Sequence, residues 1–180
     1  MATQNTQYGR TAIALHWLIA ILLLAQFAFG WWLGDIPRNT PARGYFINLH
    51  KSTGIIIGFL IVLRLWWRIK HAPPPFPAAM VPWQKRLATA SHRLMYVCML
   101  LMPLSGYVAS NFSRHGVKFF NFLSMPPWGP DNKLAYVILN QIHKTTGLVL
   151  GALILLHVTV AMRHALRQDG IFSRIWPRLV

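Results

Sequence analysis

Four long apolar runs, separated by basic and proline-rich segments, constrain the fold of this 180-residue chain more than any other feature. A helix of about 20 apolar residues crosses a bilayer core, and a backbone in lipid must satisfy its hydrogen bonds internally. Each run is long enough for one crossing. The sequence therefore predicts an all-α integral membrane protein, a single domain over residues 1–180 built as a four-transmembrane-helix bundle with spans at about 11–33, 46–67, 87–110 and 136–163.

The charge balance is strongly basic, with 18 Lys and Arg residues against three acidic residues, Asp35, Asp131 and Asp169. Only 12% of the residues are charged, whereas soluble domains average about 25%. The basic residues lie between the apolar runs and not along one helix face. We therefore expect membrane lipid and anionic small molecules as partners, and not nucleic acid. The single cysteine, Cys98, lies in an apolar run and is predicted to be a buried packing residue.

The basic residues also predict the orientation in the membrane. If both chain ends and the connection between the second and third spans share one side, that side collects eleven of the 18 basic residues. The positive-inside rule then places the N- and C-termini in the cytoplasm. The eleven residues are Arg10, Arg64, Arg68, Lys70, Lys85, Arg86, Arg93, Arg163, Arg167, Arg174 and Arg178.

Two connections between the predicted spans have compositions that indicate their structure. Residues 71–82 are rich in proline, which predicts a loop, with His71 solvated. The longest connection follows the third span and contains His115, which we also expect to be solvated. Within it, residues 117–123 form a segment short enough to lie along the membrane interface.

Two histidines of the fourth run, His143 and His157, are 14 positions apart. In a helix this spacing is about 21 Å along the axis and about 40° short of four full turns, so both side chains leave nearly the same face at opposite membrane depths. Because successive helices alternate in direction, His50 falls at the depth of His143, and His16 at the depth of His157. The sequence thus predicts two histidine pairs, one near each membrane surface.

Paired imidazoles in a membrane favour haem as the bound group. Two imidazoles fill both axial positions of a haem iron, which then cycles between the ferric and ferrous states. Ionisable groups within a membrane are expensive and usually functional. Zinc is the competing metal, but it generally needs four ligands, and neither pair offers an obvious carboxylate or thiolate. We therefore expect two bis-histidine haems; a haem-free helical scaffold is the alternative that an absorption spectrum would exclude.

A short repeat surrounds two of the histidines. Residues 49–54 read LHKSTG and residues 142–147 read IHKTTG, and a further glycine follows four residues after each, Gly58 and Gly151. Two glycines on the histidine face would leave a slot wide enough for a flat macrocycle. Close packing of helices through small residues is the alternative explanation for the same glycines.

Other polar residues near the predicted pairs are candidates for binding anions or quinone. Four cations at the outer level could neutralise haem propionates, steer an anionic substrate or extend to lipid head groups. They are Arg38, Arg43, Lys51 and Lys144. Towards the inner level, His92 and His164 are candidates for contacts with a haem propionate or a quinone.

Three sequence features together resemble the prokaryotic cytochrome b561 family over essentially the whole chain. They are residues 14–18 (ALHWL), residues 48–54 (NLHKSTG), and His143 followed 14 residues later by His157. The resemblance implies four helices that hold two haem b groups, with His16 and His157 as the ligands of one haem and His50 and His143 as the ligands of the other. The ascorbate-dependent eukaryotic relatives have six helices, so four spans argue against ascorbate chemistry.

The best-understood member of that family that the chain resembles is a bacterial superoxide oxidase. The resemblance therefore implies an oxidoreductase of the bacterial inner membrane that takes electrons from superoxide on the periplasmic side and passes them to ubiquinone. Other relatives serve as haem-carrying membrane subunits. The alternative function is accordingly an electron relay between a partner dehydrogenase or hydrogenase and the quinone pool.

Overall fold

Four long helices make up most of the computed structural model, which describes residues 7–77 and 80–176. All four are long and apolar enough to cross a membrane, which confirms the predicted four-helix membrane protein. In chain order they are α1 (Arg10–Trp32), α2 (Pro41–Lys70), α3 (Pro82–Asn111) and α4 (Lys133–Arg167).

Three of the helices begin several residues before the apolar runs, because capping residues start them. The Thr40 side chain accepts the N–H of Arg43 at the start of α2, and Asn132 does the same for Ala135 at the start of α4. Pro82 opens α3, where its missing N–H costs nothing and its fixed φ suits the helix. The first turns of these helices are thus polar extensions of the predicted spans.

The core lies in the middle of the bundle and draws on all four helices. Ile61 of α2 and Leu150 of α4 are completely buried. Large apolar side chains such as Leu24, Phe59 and Leu155 are instead exposed on the outside of the helices, as expected where lipid is the solvent. The buried core residues are Ile19, Ile57, Ile61, Cys98, Met99 and Leu150, so Cys98 has the packing position that its apolar surroundings predict.

Both described chain ends meet at one end of the bundle, which we call the terminal end. The N–H of Tyr8 donates to the carbonyl of Arg174 at 3.2 Å, and the Arg174 side chain donates to the carbonyl of Pro74, in the α2–α3 connection, at 2.7 Å. A 3-10 helix, Phe172–Arg174, carries this arginine. The two ends and this connection thus share one side, as the charge analysis requires; Arg178 lies outside the described residues.

A small β-hairpin occupies the opposite end, which we call the hairpin end. Strands β1 (Val117–Phe119) and β2 (Leu123–Met125) pair antiparallel with Phe119 opposite Leu123. The sequence analysis predicted only a short interfacial segment here and no strands. The turn contains Phe120 with φ 47° and Asn121 with φ 64°, and a left-handed conformation is uncommon for a bulky residue such as phenylalanine.

Hydrogen bonds hold the hairpin against the first half of α2. The N–H of Phe120 donates to the hydroxyl of Ser52 at 2.8 Å, and Lys51 Nζ donates to the carbonyl of Gly116 at 2.8 Å. Ser52 is completely buried. The hairpin therefore braces α2 directly beside His50.

Candidate functional site

The hairpin end contains the first histidine pair, His50 of α2 and His143 of α4. Their ring centres are 6.3 Å apart and the ring planes are 84° apart. A metal–imidazole bond is about 2.0 Å and a ring nitrogen lies about 1.1 Å from the ring centre, so imidazoles on opposite sides of one metal ion have centres about 6.2 Å apart. The observed separation therefore fits two axial ligands of one metal centre.

The terminal end contains the second pair, His16 of α1 and His157 of α4. Their ring centres are also 6.3 Å apart, with 63° between the ring planes. Across the described parts of the chain, no group of three or more His, Cys, Asp or Glu side chains could hold a metal ion. Two bis-imidazole sites thus fit these residues better than a zinc site does.

The tautomer of His143 is fixed by a backbone carbonyl. His143 Nδ1 lies 2.7 Å from the carbonyl oxygen of Met102 in α3. A carbonyl can only accept a hydrogen bond, so Nδ1 carries the proton and Nε2 presents a lone pair. Metal-ligating histidines are commonly oriented in this way, through a hydrogen bond from the second ring nitrogen.

His50 is held through its backbone, and one of its ring nitrogens lacks a protein partner. Gln26 Nε2 donates to the His50 carbonyl at 2.7 Å, and the Thr53 hydroxyl donates to Gln26 Oε1 at 2.7 Å. His50 Nδ1 is buried without a hydrogen-bond partner. Such an orphaned polar atom calls for an explanation, and a bound group at this ring provides one.

Two glycines on neighbouring helices leave room for the rings at the hairpin end. A Cβ added to Gly106 of α3 would lie 2.9 Å from His143 Nδ1, and a Cβ added to Gly30 of α1 would lie 3.0 Å from His50 Cε1. In proteins, a Cβ atom essentially never lies closer than 3.0 Å to a heavy atom of a residue that it is not bonded to. The sequence analysis did not select either glycine, because neither lies on the same helix as the histidine that it faces.

The glycines of the sequence repeat pack against neighbouring helices in the structure. An added Cβ at Gly58 would meet Pro103 at 3.2 Å, and one at Gly147 would meet Met102 at 3.5 Å. Gly54 faces Gln26 and Gly151 faces Phe27, at 3.5 and 3.8 Å. These contacts correspond to the alternative explanation, close packing of helices through small residues. Side chains of neighbouring helices therefore occupy the space that the repeat glycines leave.

Cationic and polar groups surround the terminal-end pair. Arg64 of α2 reaches α1 one turn before His16, where its Nη1 donates to the Ala12 carbonyl at 3.5 Å. Its Nε donates to the Tyr96 hydroxyl at 3.0 Å. The His92 ring centre is 5.4 Å from that of His157, so this predicted contact residue does lie beside the pair. The sequence analysis counted Arg64 only among the basic residues that predict the orientation, and so it missed the position of Arg64 beside this pair.

The four candidate steering cations differ in their surroundings. Arg43 Nη1 donates to the carbonyls of Leu33 and Ile36, just after the end of α1, and Lys51 donates to the Gly116 carbonyl just before β1, as described above. These two residues therefore have structural hydrogen bonds in addition to their charge. Arg38 and Lys144 are exposed, which leaves their charges accessible from outside the protein.

The remaining histidines lie away from both pairs. His71 and His115 are exposed, as predicted for loop residues, and His71 also stacks on Trp67 with ring centres 3.9 Å apart. His164 Nδ1 lies 2.6 Å from Asp169 Oδ2 beyond the last turn of α4. His164 therefore has a carboxylate partner of its own.

Comparison with known proteins gives a consistent result over the whole chain. Residues 7–178 match the family model described as prokaryotic cytochrome b561. Cytochrome b561 homolog 2 of Escherichia coli is 28% identical over 167 residues, which cover 91% of this chain and 88% of that protein. Cytochrome b561 homolog 1 of the same organism is 25% identical, covering 96% and 98%. A protein of Yersinia pestis named probable superoxide oxidase CybB is 25% identical, covering 97% and 98%.

Proposed function

Because the chain belongs to the prokaryotic cytochrome b561 family, we propose that it transfers electrons across the membrane from superoxide to ubiquinone. Membership of this family implies an electron-transfer protein with b-type haem. The Yersinia pestis relative, whose name states superoxide oxidation, favours superoxide as the donor. The function is therefore that of a superoxide:ubiquinone oxidoreductase of the inner membrane.

Two haem b groups are proposed, one in each histidine pair. His50 and His143 would be the ligands at the hairpin end, and His16 and His157 at the terminal end. The observation that carries this proposal is the equal ring separation of 6.3 Å in both pairs. Haem held by these histidines would supply one-electron chemistry between the ferric and ferrous states. The chain itself supplies the ligands, fixes the His143 tautomer and excludes water from the core between the pairs.

The hairpin end is proposed as the periplasmic, superoxide-oxidising end. Superoxide is an anion, and a basic surface raises the rate at which anions meet a protein. Arg38 and Lys144 supply exposed positive charge, while Lys51 and Arg43 add charge that is fixed by hydrogen bonds. The terminal end then faces the cytoplasm, in agreement with the positive-inside rule.

The overall reaction balances in electrons and protons. Two superoxide anions each lose one electron and become dioxygen, while one ubiquinone gains two electrons and two protons and becomes ubiquinol. The two histidine pairs lie at opposite ends of the bundle, about 21 Å apart along α4 by their 14-residue spacing. The protein thus offers one redox site near each membrane surface.

A pulse experiment tests the proposal. Purified protein containing haem is mixed with superoxide and a soluble ubiquinone, and the haem absorption bands and quinol formation are followed. We expect the haem bands to become reduced within the mixing time and quinol to form faster than without protein. Haem that stays oxidised under superoxide would contradict the choice of donor.

The alternative is a haem-carrying subunit that relays electrons between a partner dehydrogenase or hydrogenase and the quinone pool. The same experiment separates the two functions. The haem of a relay would not be reduced by superoxide. It would be reduced when a co-purifying redox enzyme receives its own substrate. The two Escherichia coli relatives have names that state no substrate, so they do not favour either function.

A further inference from the structure

A histidine–carboxylate pair joins the last turn of α4 to the segment that follows it, apart from both proposed haem sites. His164 Nδ1 is 2.6 Å from Asp169 Oδ2, and Asp169 Oδ1 accepts the N–H of Ile171 at 3.1 Å. Burial raises the pKa of Asp169, but the hydrogen bonds from His164 and Ile171 and the positive charge of Arg167 outweigh it and lower this pKa. The carboxylate is therefore ionised at neutral pH and held from two sides.

The imidazole of this pair lines a cavity of about 240 Å³, and the carboxylate does not. Since an ionised carboxylate only accepts hydrogen bonds, Nδ1 of His164 donates to Asp169, and Nε2 remains for a second partner. A carboxylate that orients an imidazole and stabilises its protonated form is the arrangement used in general acid–base catalysis. The cavity is lined by His164, Ala165, Gln168, Gly170, Phe172 and Ser173.

The lining of this cavity suits a neutral ring with carbonyl oxygens. Phe172 supplies an apolar wall, while His164, Gln168 and Ser173 offer hydrogen-bond donors. The nearby Asp169 carboxylate is not among the lining residues, and its two oxygens are engaged by His164 and by the N–H of Ile171. The volume is below the roughly 300–1,000 Å³ of pockets for drug-sized ligands, which fits one substituted six-membered ring. A lipid-soluble quinone has such a head group.

The position of the cavity relates it to the terminal-end pair. His164 follows His157 by seven residues, which is about 10.5 Å along the helix axis and only about 20° short of two turns. Both side chains therefore leave the same face of α4. A ring bound at His164 would lie one step beyond the terminal-end pair, at the edge of the bundle.

We propose that His164 is the proton donor of a quinone-reduction site at the terminal end, with Asp169 as its positioning residue. This inference rests on the proposed function, because the electrons are those that the protein delivers to quinone. For each proton transferred, an N–H bond of protonated His164 breaks and an O–H bond forms on a quinone oxygen. His164 then regains a proton from water, so that two electrons and two protons convert one quinone into quinol.

A reoxidation experiment tests the inference without using superoxide. Holoprotein is reduced with dithionite, freed of excess reductant and mixed with decylubiquinone in the absence of oxygen, and the haem bands are followed. We expect reoxidation of His164→Gln to be about 100-fold slower than that of the wild type, within the range for loss of a general acid. We expect Asp169→Asn to be about tenfold slower, Asp169→Glu to keep most of the rate, and His115→Gln, an exposed histidine at the other end, to match the wild type.

Binding is measured separately with an azido-substituted benzoquinone that labels its site on illumination. We expect the label in the peptide containing residues 164–173, and we expect Asp169→Asn to keep the labelling while losing rate. Label found only elsewhere, or His164→Gln reoxidised as fast as the wild type, overturns the inference and leaves the proposed function intact. Wild-type protein that decylubiquinone cannot reoxidise overturns quinone as the acceptor and therefore the proposed function as well.

Discussion

The hairpin-end and terminal-end histidine pairs have the same ring separation, 6.3 Å, and different surroundings. At the hairpin end, a backbone carbonyl fixes the ring of His143, and two glycines of neighbouring helices admit the rings. At the terminal end, Arg64 reaches α1 one turn before His16, and a third histidine, His92, lies beside His157. Under the proposed function, both pairs need the same separation because each would bind one iron, whereas their surroundings can differ and would set different redox properties.

Under the proposed function, this difference would give electron transfer a direction. A positive charge stabilises the reduced form of a neighbouring redox centre, because reduction removes one positive charge from that centre. Arg64 and Arg68 at the terminal end are fixed by Tyr96, through a hydrogen bond and a cation–π contact. At the hairpin end, Lys51 Nζ donates to the carbonyl of Gly116 just before β1, and Arg38 and Lys144 are exposed, where solvent and ions screen their charges. Under the proposed function, electrons would therefore be held more firmly at the terminal end.

Substituting one proposed haem ligand should produce the largest difference between the two ends. We expect His143→Ala to lose the hairpin-end haem and to reduce the haem content from two groups per chain to one, since alanine offers no ligand. His157→Ala should lose the other haem. The measurement is haem per chain by absorption after extraction, with His115→Ala as the control that keeps both. Unchanged haem content in His143→Ala would contradict the proposed ligand pair.

The glycines predict an effect that is confined to one end. We expect Gly106→Ala to displace the His143 ring, because the new Cβ would lie 2.9 Å from Nδ1. Overpacking of this kind costs about 1–3 kcal/mol, so the hairpin-end haem should be lost at lower denaturant concentration than the terminal-end haem. Gly44→Ala is the matched control, since nothing lies within 4 Å of its added Cβ. Equal haem retention in the two variants would mean that the close approach is unimportant.

The cationic surroundings of the terminal-end pair can be tested through its potential. A unit charge at about 10 Å in an effective dielectric of about 20 is worth about 1.7 kcal/mol, or about 70 mV for one electron. Because solvent and ions screen part of this, we expect Arg64→Gln to lower the terminal-end midpoint potential by about 30–60 mV. Lys70→Gln, at the exposed end of α2, should change it little. A redox titration of both haems gives the answer, and equal shifts in the two variants would contradict the special role of Arg64.

Much of the architecture could be predicted from the sequence, for a physical reason. Lipid requires long apolar helices, so four runs indicate four spans, and the pitch of a helix relates His143 to His157 without further information. The depth argument also grouped His50 with His143, and the structure brings these two rings together. These inferences use only distances along one helix or across one bilayer.

The contacts between helices could not be predicted in the same way. Apolar residues surround each helix on all sides, so no polar stripe indicates which face packs against a neighbour. Gly30, Gly106 and Gln26 face the hairpin-end histidines from other helices, and such contacts depend on how each helix is rotated. The hairpin was missed because its turn contains Phe120 and Asn121 at positive φ, without the glycine that usually indicates such a turn.

The smallest expected effect concerns the β-hairpin at the hairpin end. The Ser52 hydroxyl accepts the N–H of Phe120 and donates to the Asn48 carbonyl at 2.7 Å. We expect Ser52→Ala to destabilise the hairpin by about 1 kcal/mol, because it leaves the Phe120 N–H without its partner. The control is Ser110→Ala, a buried serine whose hydroxyl donates only to the Gly106 carbonyl of its own helix.

Hydrogen exchange at the Phe120 amide measures this effect directly. A loss of about 1 kcal/mol corresponds to roughly fivefold faster exchange in Ser52→Ala, if the hairpin opens locally, and Ser110→Ala should leave this amide unchanged. The haem at the hairpin end should also be released slightly earlier on heating in Ser52→Ala, because the hairpin braces α2 beside His50. If exchange at Phe120 is the same in both variants, the hairpin does not depend on Ser52, and the two ends differ less in rigidity than their hydrogen bonds indicate.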